Sequence, residues 1–508
     1  MLVKIYAERG YAPLWSDNGQ YTDTGRAIVS KLENSSSLGL HPAGYYTQVL
    51  SSWLQMQEPQ TATRLDLVLT DSLIEYFDNL ANSQTGEKPG DDSTWFATQA
   101  ITDANNEALR FFRGDASFRE TTDRLQPRSY RYDDLIAALK EKHKILSEGG
   151  YTTIADGAIL KPGMQDSRVQ QLRHRLAQSG DHTETYVTDP NLYDAALEAS
   201  VKTFQERHGL EADGLIGGKT FAELNTTVEA RIAQIEINLD RWRWLPRDLG
   251  DNHIIVNTAG FQMDMVLNGH HALYMNVVVG KPKHKTPVFS KDMEHIVFNP
   301  SWNVPKSIAS KELLPRELAN PGYLSGKNFV AVSHTDKSTR SVDSFAAYEL
   351  EPSSFTSQYR LKQLPGSNNA LGTVKFMLPN KHAIYLHDTN AKTLFQKTTR
   401  AFSHGCIRVE DPVKLAKTLL MNDGHTEHSV EQRFATDKSK TIRLDSPLPV
   451  HMTYQTAWVD EHGKLNFRPD IYGHDKHAVQ SYKNQRPHLT NTERQLLLQH
   501  SSFASSEL

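Results

Sequence analysis

The chain has 508 residues, with 56 Lys and Arg against 60 Asp and Glu, a net charge of -4, and 38% hydrophobic residues. The charge balance excludes a general nucleic-acid binder, and the length exceeds what one core supports, so about three or four domains are expected. No run of 18 apolar residues occurs, hence no membrane span is encoded, and the start turns polar too early for a secretory signal.

In chain order, residues 1–155 read as a helical domain. Thr22-Asp23-Thr24 is placed to cap a helix running through Ile28 and Leu32, and Ser36-Ser37-Leu38-Gly39 to stop it. Leu65, Leu69, Leu73 and Phe77 step at helical spacing and predict one buried face. The acidic pairs Asp91-Asp92 and Asp133-Asp134 lack further ligands at metal spacing and read as solvated surface.

Residues 156–226 outline a compact unit. Val169, Leu172 and Leu176 mark one helix, and Leu197, Val201 and Phe204 a second. Asp213-Gly214-Leu215-Ile216-Gly217 turns into a third near Thr220. The spacing Phe204-Gln205, Asp213-Gly214, Ile216-Gly217 and Thr220 resembles the small three-helix peptidoglycan-binding module; modules of this shape also serve only as spacers. Residues 227–251 read as a linking helix, with Val228, Ile232, Ile235 and Leu239 on one face and Trp242 and Trp244 as buried anchors.

A β-rich part is expected over 252–475. Asn268-Gly269 between alternating runs predicts a two-residue hairpin joining strands at Met263–Leu267 and Tyr274–Val279. A long insertion follows, 302–372, opened by Trp302-Asn303-Val304-Pro305 and closed by Pro365-Gly366 through Gly372; by analogy of fold it reads as a lid, the alternative being a passive decoration. Asp411-Pro412 starts a helix, Val450 to Tyr472 adds a last strand pair, and 476–508 reads as a polar tail.

The only cysteine, Cys406, lies in Ala401-Phe402-Ser403-His404-Gly405-Cys406-Ile407-Arg408-Val409, between a glycine and the start of a strand. Upstream, Ala383-Ile384-Tyr385-Leu386-His387 alternates as a strand with Tyr385 and His387 on one face. A thiolate attacks a carbonyl only after the thiol loses its proton, and an imidazole can take that proton and return it to a leaving amine. The competing readings are a small buried hydrophobe, or half of a zinc site; a structural zinc site wants four ligands and no second cysteine exists.

Ser403-His404-Gly405-Cys406, followed by Ile407-Arg408 and preceded by His387, resembles the signature of the bacterial L,D-transpeptidases. By chance that core turns up in on the order of one in a thousand chains of this length. Tyr11-Ala12-Pro13-Leu14-Trp15, Gly39-Leu40-His41-Pro42 and the insertion are similar to the large Gram-negative members. The resemblance implies a multidomain α+β protein: a helical N-terminal scaffold, a three-helix peptidoglycan-binding-like module, and a β-rich catalytic domain with a capping insertion.

It further implies Cys406 as nucleophile and His387 as base and acid, with amides around Cys406 and Gly405 facing the oxyanion. Ser403 belongs to the same pocket. Asp388 supplies a carbonyl that orients the imidazole, its carboxylate having no assigned role. His404 shapes the pocket or is a turn residue, and Arg408 holds a substrate carboxylate or a structural ion pair. The implied reaction joins peptidoglycan stem peptides 3→3 through a thioester in the periplasm, with no metal or cofactor. A cysteine peptidase or amidase, and a silent wall-binding scaffold, are the alternatives.

Overall fold

The computed structural model describes residues 1–56, 59–84, 103–183, 187–436, 438–476 and 478. Asp91-Asp92 and nearly all of the tail lie outside the described residues. The helical region holds α1 (Leu2–Glu8), a strand pair β1 (Ser16–Asp17) and β2 (Gln20–Tyr21), α2 (Asp23–Glu33) and α3 (Thr47–Leu54). The longest helix there, α4 (Pro59–Asn82), is followed by α5 (Ala104–Arg113), α6 (Phe118–Leu125) and α7 (Tyr130–Ser147). The Thr22 hydroxyl accepts the Gly25 N–H at 3.1 Å, so α2 begins where its cap predicts. Leu65, Leu69, Leu73 and Phe77 are all 0% exposed, so the apolar stripe of α4 is the core of this region.

The next unit is α8 (Arg168–Gln178), α9 (Ala195–Arg207) and α10 (Gly218–Leu224) around one small core of Val169, Leu172, Leu176, Leu197, Val201 and Phe204. The side chain of Gln205 explains the motif spacing. Its amide donates to Asp213 Oδ1, the Leu215 carbonyl and Thr220 Oγ1, and its oxygen accepts the Gly214 N–H at 2.8 Å. One side chain thereby pins the turn against two helices.

The helix α11 (Val228–Trp242) was expected to bury one face. Instead every residue from Ile235 to Trp242 is buried. It lies in one core with Tyr132, Leu135 and Leu139 of α7 and with Ile255, Ala457, Val459 and Phe467 of the β-rich part. A helix hydrophobic on one side only serves a single neighbour; α11 has neighbours all round, and its polar residues are buried because they bond across those contacts. Trp242 is buried and Trp244 half-buried, as anchors.

The β-rich part continues with β3 (His253–Asn257), β4 (Gln262–Leu267), β5 (His270–Gly280) and β6 (Phe289–Phe298). Asn268 and Gly269 have φ of 52° and 74°, the left-handed pair that the tight β4–β5 turn needs. The insertion folds as its own unit: β7 (Trp302–Asn303), α12 (Lys306–Ile308), a π-helical turn (Ala309–Leu313), α13 (Leu314–Ala319), β8 (Phe329–Ser333), β9 (Thr339–Ser341), α14 (Pro352–Gln358) and β10 (Tyr359–Gln363). Its four strands run in the order β7-β10-β8-β9 over a separate core that includes Leu314, Leu324, Ala331, Phe355 and Leu361.

Then come β11 (Val374–Met377), β12 (Leu386–His387), β13 (Ala401–Ser403), β14 (Ile407–Val409), α15 (Pro412–Asn422), α16 (Glu427–Phe434), β15 (Lys440–Thr453), β16 (Ala457–Val459) and β17 (Leu465–Phe467). The main sheet runs β13-β5-β14-β12-β11-β6-β15-β3-β4, and β4 also pairs with β5, so eight of the strands close on themselves. Closure leaves the site without a free edge at β12 and β14.

Two expectations shift. The strand expected from Ala383 is only Leu386–His387, because the Asn380 side chain takes the backbone of residues ahead of it: it donates to the Leu378 and Ile384 carbonyls and accepts from the His382 and Ile384 N–H groups. Val450 belongs to β15, which starts at Lys440 and inserts between β6 and β3; the separate late pair is β16 with β17.

Candidate active site

The site is one face of three adjacent strands. β12 lies parallel to β14, with His387 opposite Arg408, and antiparallel to β11, with Lys375 opposite His387. Side chains alternate along each strand. Val374, Phe376, Leu386, Ile407 and Val409 therefore enter the core on one face and Lys375, His387 and Arg408 lie on the other, while Tyr385 and Cys406, just ahead of β12 and β14, are partly buried against the same core. Cys406 immediately precedes β14 and so lies diagonal to His387 across the parallel β12–β14 pair; among the described residues no hydrogen bond joins its Sγ to the imidazole.

His387 is 5% exposed, and its Nδ1–H donates to the Asp388 carbonyl at 2.5 Å. That bond fixes the tautomer and leaves Nε2 as the basic nitrogen. Burial, followed by the Arg408 guanidinium and with Lys375 adding to it, lowers the imidazole to about 3, so it is neutral at rest. The carboxylate of Asp388, unassigned from sequence, accepts from Thr373, Thr389 and Lys392, tying the end of β12 to its surroundings.

Cys406 is half-buried, and its Sγ donates to the Ala383 carbonyl at 3.6 Å. Burial pushes the thiol up; hydrogen bonds from the Tyr385 N–H and phenol, and the charges of Arg408 and Lys375, push against it. The same phenol meets the indole of Trp302, at the root of the insertion.

The loop carrying Cys406 is held from both sides. Ser403 Oγ accepts the Gly405 N–H at 3.0 Å and donates to the Cys406 carbonyl at 2.6 Å. Thr286 Oγ1 donates to the Gly405 carbonyl at 2.8 Å and accepts the Gly280 N–H at 2.9 Å. Tyr472 donates to the Gly280 carbonyl at 2.6 Å. Gly405 has φ of 118°, which a side chain rarely adopts, so the tight turn before the thiol requires glycine. The expectation that the amides around Cys406 face an oxyanion narrows here. The Gly405 N–H is spent on Ser403, whereas the Cys406 N–H has no acceptor among the described residues.

His404 Nε2 meets Glu312 Oε1 at 2.6 Å, joining the motif to the π-helical turn of the insertion. Lys281 approaches the same nitrogen at 3.4 Å, and the His284 ring lies 4.9 Å away, centre to centre. Burial is the largest single influence on the Glu312 carboxyl and raises it, but the His404 hydrogen bond and the charges of His404, Lys281 and Arg316 together bring the net direction down. Arg408 forms no ion pair among the described residues, and its buried Nε has no hydrogen-bond partner there. Among the described residues, no three His, Cys, Asp or Glu side chains gather as metal ligands.

Three contributors were missed as site residues. Thr286 had a signal, since Thr286-Pro287-Val288-Phe289 resembles a segment ahead of the active-site region in the family, but its bond to the Gly405 carbonyl comes from the turn after β5. Tyr385 was placed on the His387 face without a role. Lys375 had a signal: in Val374-Lys375-Phe376 the alternation turns it away from the core.

Residues 251–431 match the L,D-transpeptidase catalytic domain, residues 1–139 a scaffold domain, and residues 165–224 a "Putative peptidoglycan binding domain". A protein of Haemophilus influenzae described as "Putative L,D-transpeptidase" is 27% identical over 481 residues, 94% of this chain and 78% of that protein. Among solved structures, an L,D-transpeptidase from Mycobacterium smegmatis is 9% identical, with TM-score 0.18, over 41% of this chain and 60% of that one. An L,D-transpeptidase from Xylanimonas cellulosilytica is 12% identical, with TM-score 0.16, over 59% and 98%.

Proposed function

From a chain that belongs, through its catalytic domain at residues 251–431, to the L,D-transpeptidase family, we propose that it cross-links peptidoglycan stem peptides through a thioester on Cys406. The carrying observation is the parallel β12–β14 pair: a histidine tied at Nδ1 ends β12, and the sole cysteine immediately precedes β14, diagonal to it.

The steps follow from the groups present. Nε2 of His387 takes the thiol proton as the sulfur attacks the carbonyl between a meso-diaminopimelate and a terminal D-alanine. The developing oxyanion is met by the Cys406 N–H. The imidazolium returns its proton to the departing D-alanine amine, leaving the thioester. The side-chain amine of a second stem, deprotonated by His387, then attacks, releasing the thiol and a 3→3 link. Ser403, Gly405 and Thr286 hold the loop rather than react, and His404 joins that loop to the insertion. The peptidoglycan-binding module keeps the protein on its substrate in the periplasm.

The test is mass spectrometry of the chain with a carbapenem or a tetrapeptide donor. A single adduct on Cys406 is expected, absent in Cys406→Ala. No adduct, or one that persists in that variant, ends the proposal. With an acceptor amine added, release of free acid alone would mark a cysteine peptidase instead.

A further inference from the structure

Gly260, Phe261 and Gln262, where β3 turns into β4, gather side chains from four other places in the chain. A Cβ at Gly260 would lie 3.2 Å from the Trp458 indole of β16. The Arg400 guanidinium, just ahead of β13, donates to the Phe261 carbonyl at 3.0 Å and to Asn276 Oδ1 at 2.8 Å. The Tyr274 hydroxyl of β5 donates to Gln262 Oε1 at 3.0 Å. Arg468, just after β17, lies over the Trp458 ring at 4.9 Å and donates to the Arg207 carbonyl of the three-helix module at 2.8 Å. The cluster therefore sits in the seam where that module meets the catalytic domain.

This seam is built around an exposed ring. Tyr274 is 42% exposed on a strand whose alternate residues Leu273, Met275 and Val277 enter the core, yet burial still raises its phenol, as for a ring standing in a cleft. Beside Arg468, the buried Trp458 Nε1–H has no acceptor among the described residues, although buried donors are ordinarily paired. Neither Arg400 nor Arg468 meets a carboxylate among the described residues; both bond backbone carbonyls. The surroundings are nonetheless of both signs. Glu410 accepts from the Asn276 amide, and Glu461 and Asp460 bear on the same Tyr274 phenol as the two guanidiniums. An accessible ring among donors and acceptors of both signs fits a neutral polyhydroxyl ligand better than an ion. The C–H face of a pyranose packs on the ring, while its hydroxyls donate to carboxylates and accept from guanidiniums.

We propose that Tyr274, with Gln262, Arg400 and Arg468 around it, holds a sugar of the glycan strand that carries the stem peptide. The proposal rests on the acyl-transfer reading above. β5 runs antiparallel to β14 with Val278 opposite Arg408, which sets Cys406 level with Gly280. From there Tyr274 is six residues back along β5, about 20 Å. A stem seated with the carbonyl of its third residue at the sulfur spans three residues, about 10–11 Å, before it reaches its sugar. Tyr274 thus lies beyond the peptide, at the distance of the glycan. The site belongs to the catalytic domain: the helical module lends the Arg207 carbonyl and the space at Gly209, where a Cβ would come 2.5 Å from Arg468 Cδ.

Two readings on the full chain test this. The first is a calorimetric titration with chitotetraose, a neutral oligomer of N-acetylglucosamine. Tyr274→Ala should weaken binding about 10-fold, and Tyr274→Phe, which keeps the ring, should restore most of it. Ile159→Ser, at a residue 50% exposed on the helical module, should leave binding unchanged. The second compares kcat/KM for a tetrapeptide donor with and without its disaccharide. The disaccharide should favour turnover about 10-fold, chiefly through KM, and Tyr274→Ala should bring the two donors level.

No binding of chitotetraose by the native chain, or binding unchanged in Tyr274→Ala, overturns the inference. Binding lost in Ile159→Ser and kept in Tyr274→Ala overturns it too, by moving the sugar to the helical module. So does equal turnover of the two donors by the native chain, which would leave the transpeptidase reading intact. Binding lost in Tyr274→Ala, with neither donor turned over by the native chain, upholds the sugar site and overturns the transpeptidase reading instead.

Discussion

At the scale of residues, the thiol and imidazole are both neutral at rest. A resting ion pair would make thiolate reactivity flat from about pH 4 to pH 8. Here the imidazole sits at about 3 and the thiol lies above its ordinary 9.0. Alkylation of Cys406 by iodoacetamide should therefore keep climbing through about pH 9 without a neutral plateau; a plateau would reveal an ion pair. The depressed imidazole also sets a stability window. Between the ordinary 6.5 and about 3, the unfolded chain binds a proton that the folded chain refuses. Stability is thus fully present above that window and falls as pH drops through it. His387→Gln should lose less stability than the native chain between those values, measured by urea unfolding. Thr286 is 0% exposed and bonds two backbone groups. Thr286→Val keeps the volume but leaves the Gly280 N–H and Gly405 carbonyl unpaired, for a loss of about 2–3 kcal/mol and slower acylation.

At the scale of elements, the insertion touches the motif through Glu312 on its π-helical turn, a form that often marks functional positions. Glu312 and His404 are about a third exposed, at 34% and 29%, so the pair is worth less than about 1 kcal/mol. Glu312→Gln should raise thioester hydrolysis relative to aminolysis a few-fold and speed hydrogen exchange over residues 306–319. No change in either would free the insertion from this contact.

This scale also shows what sequence reveals. The Ser403–Cys406 run, the α4 stripe and the Asn268-Gly269 turn act within a few residues, so local pattern exposes them. Thr286 acts through a hydroxyl across the β5 turn, and Lys375 matters because β11 pairs with β12; neither is local. Asn380 shortened the expected strand because side-chain competition for backbone groups leaves no trace in hydrophobic alternation.

At the scale of the whole molecule, α11 is the shared member of the helical region and the catalytic domain, which its sequence position between modules concealed. Asp240 on α11 is 2% exposed and accepts from Ser83 Oγ at 2.7 Å and the Gln84 N–H at 2.8 Å, with Arg243 at 3.5 Å. Arg243, also 2% exposed, donates to the Leu38 carbonyl at 2.5 Å and to Tyr132 at 3.1 Å. Removing the carboxylate charge leaves a buried guanidinium undercompensated, so Asp240→Asn should cost about 3–5 kcal/mol. Asp123→Asn, at a carboxylate 63% exposed, should stay within about 0.5 kcal/mol. Because α11 shares one core with α7 and with β16 and β17, the loss should reach the distant site. In urea, the accessibility of Cys406 to iodoacetamide and the far-ultraviolet helix signal should shift together, at one lowered midpoint. If Cys406 becomes reactive at its native midpoint while the helix signal moves, α11 divides the molecule instead of joining it.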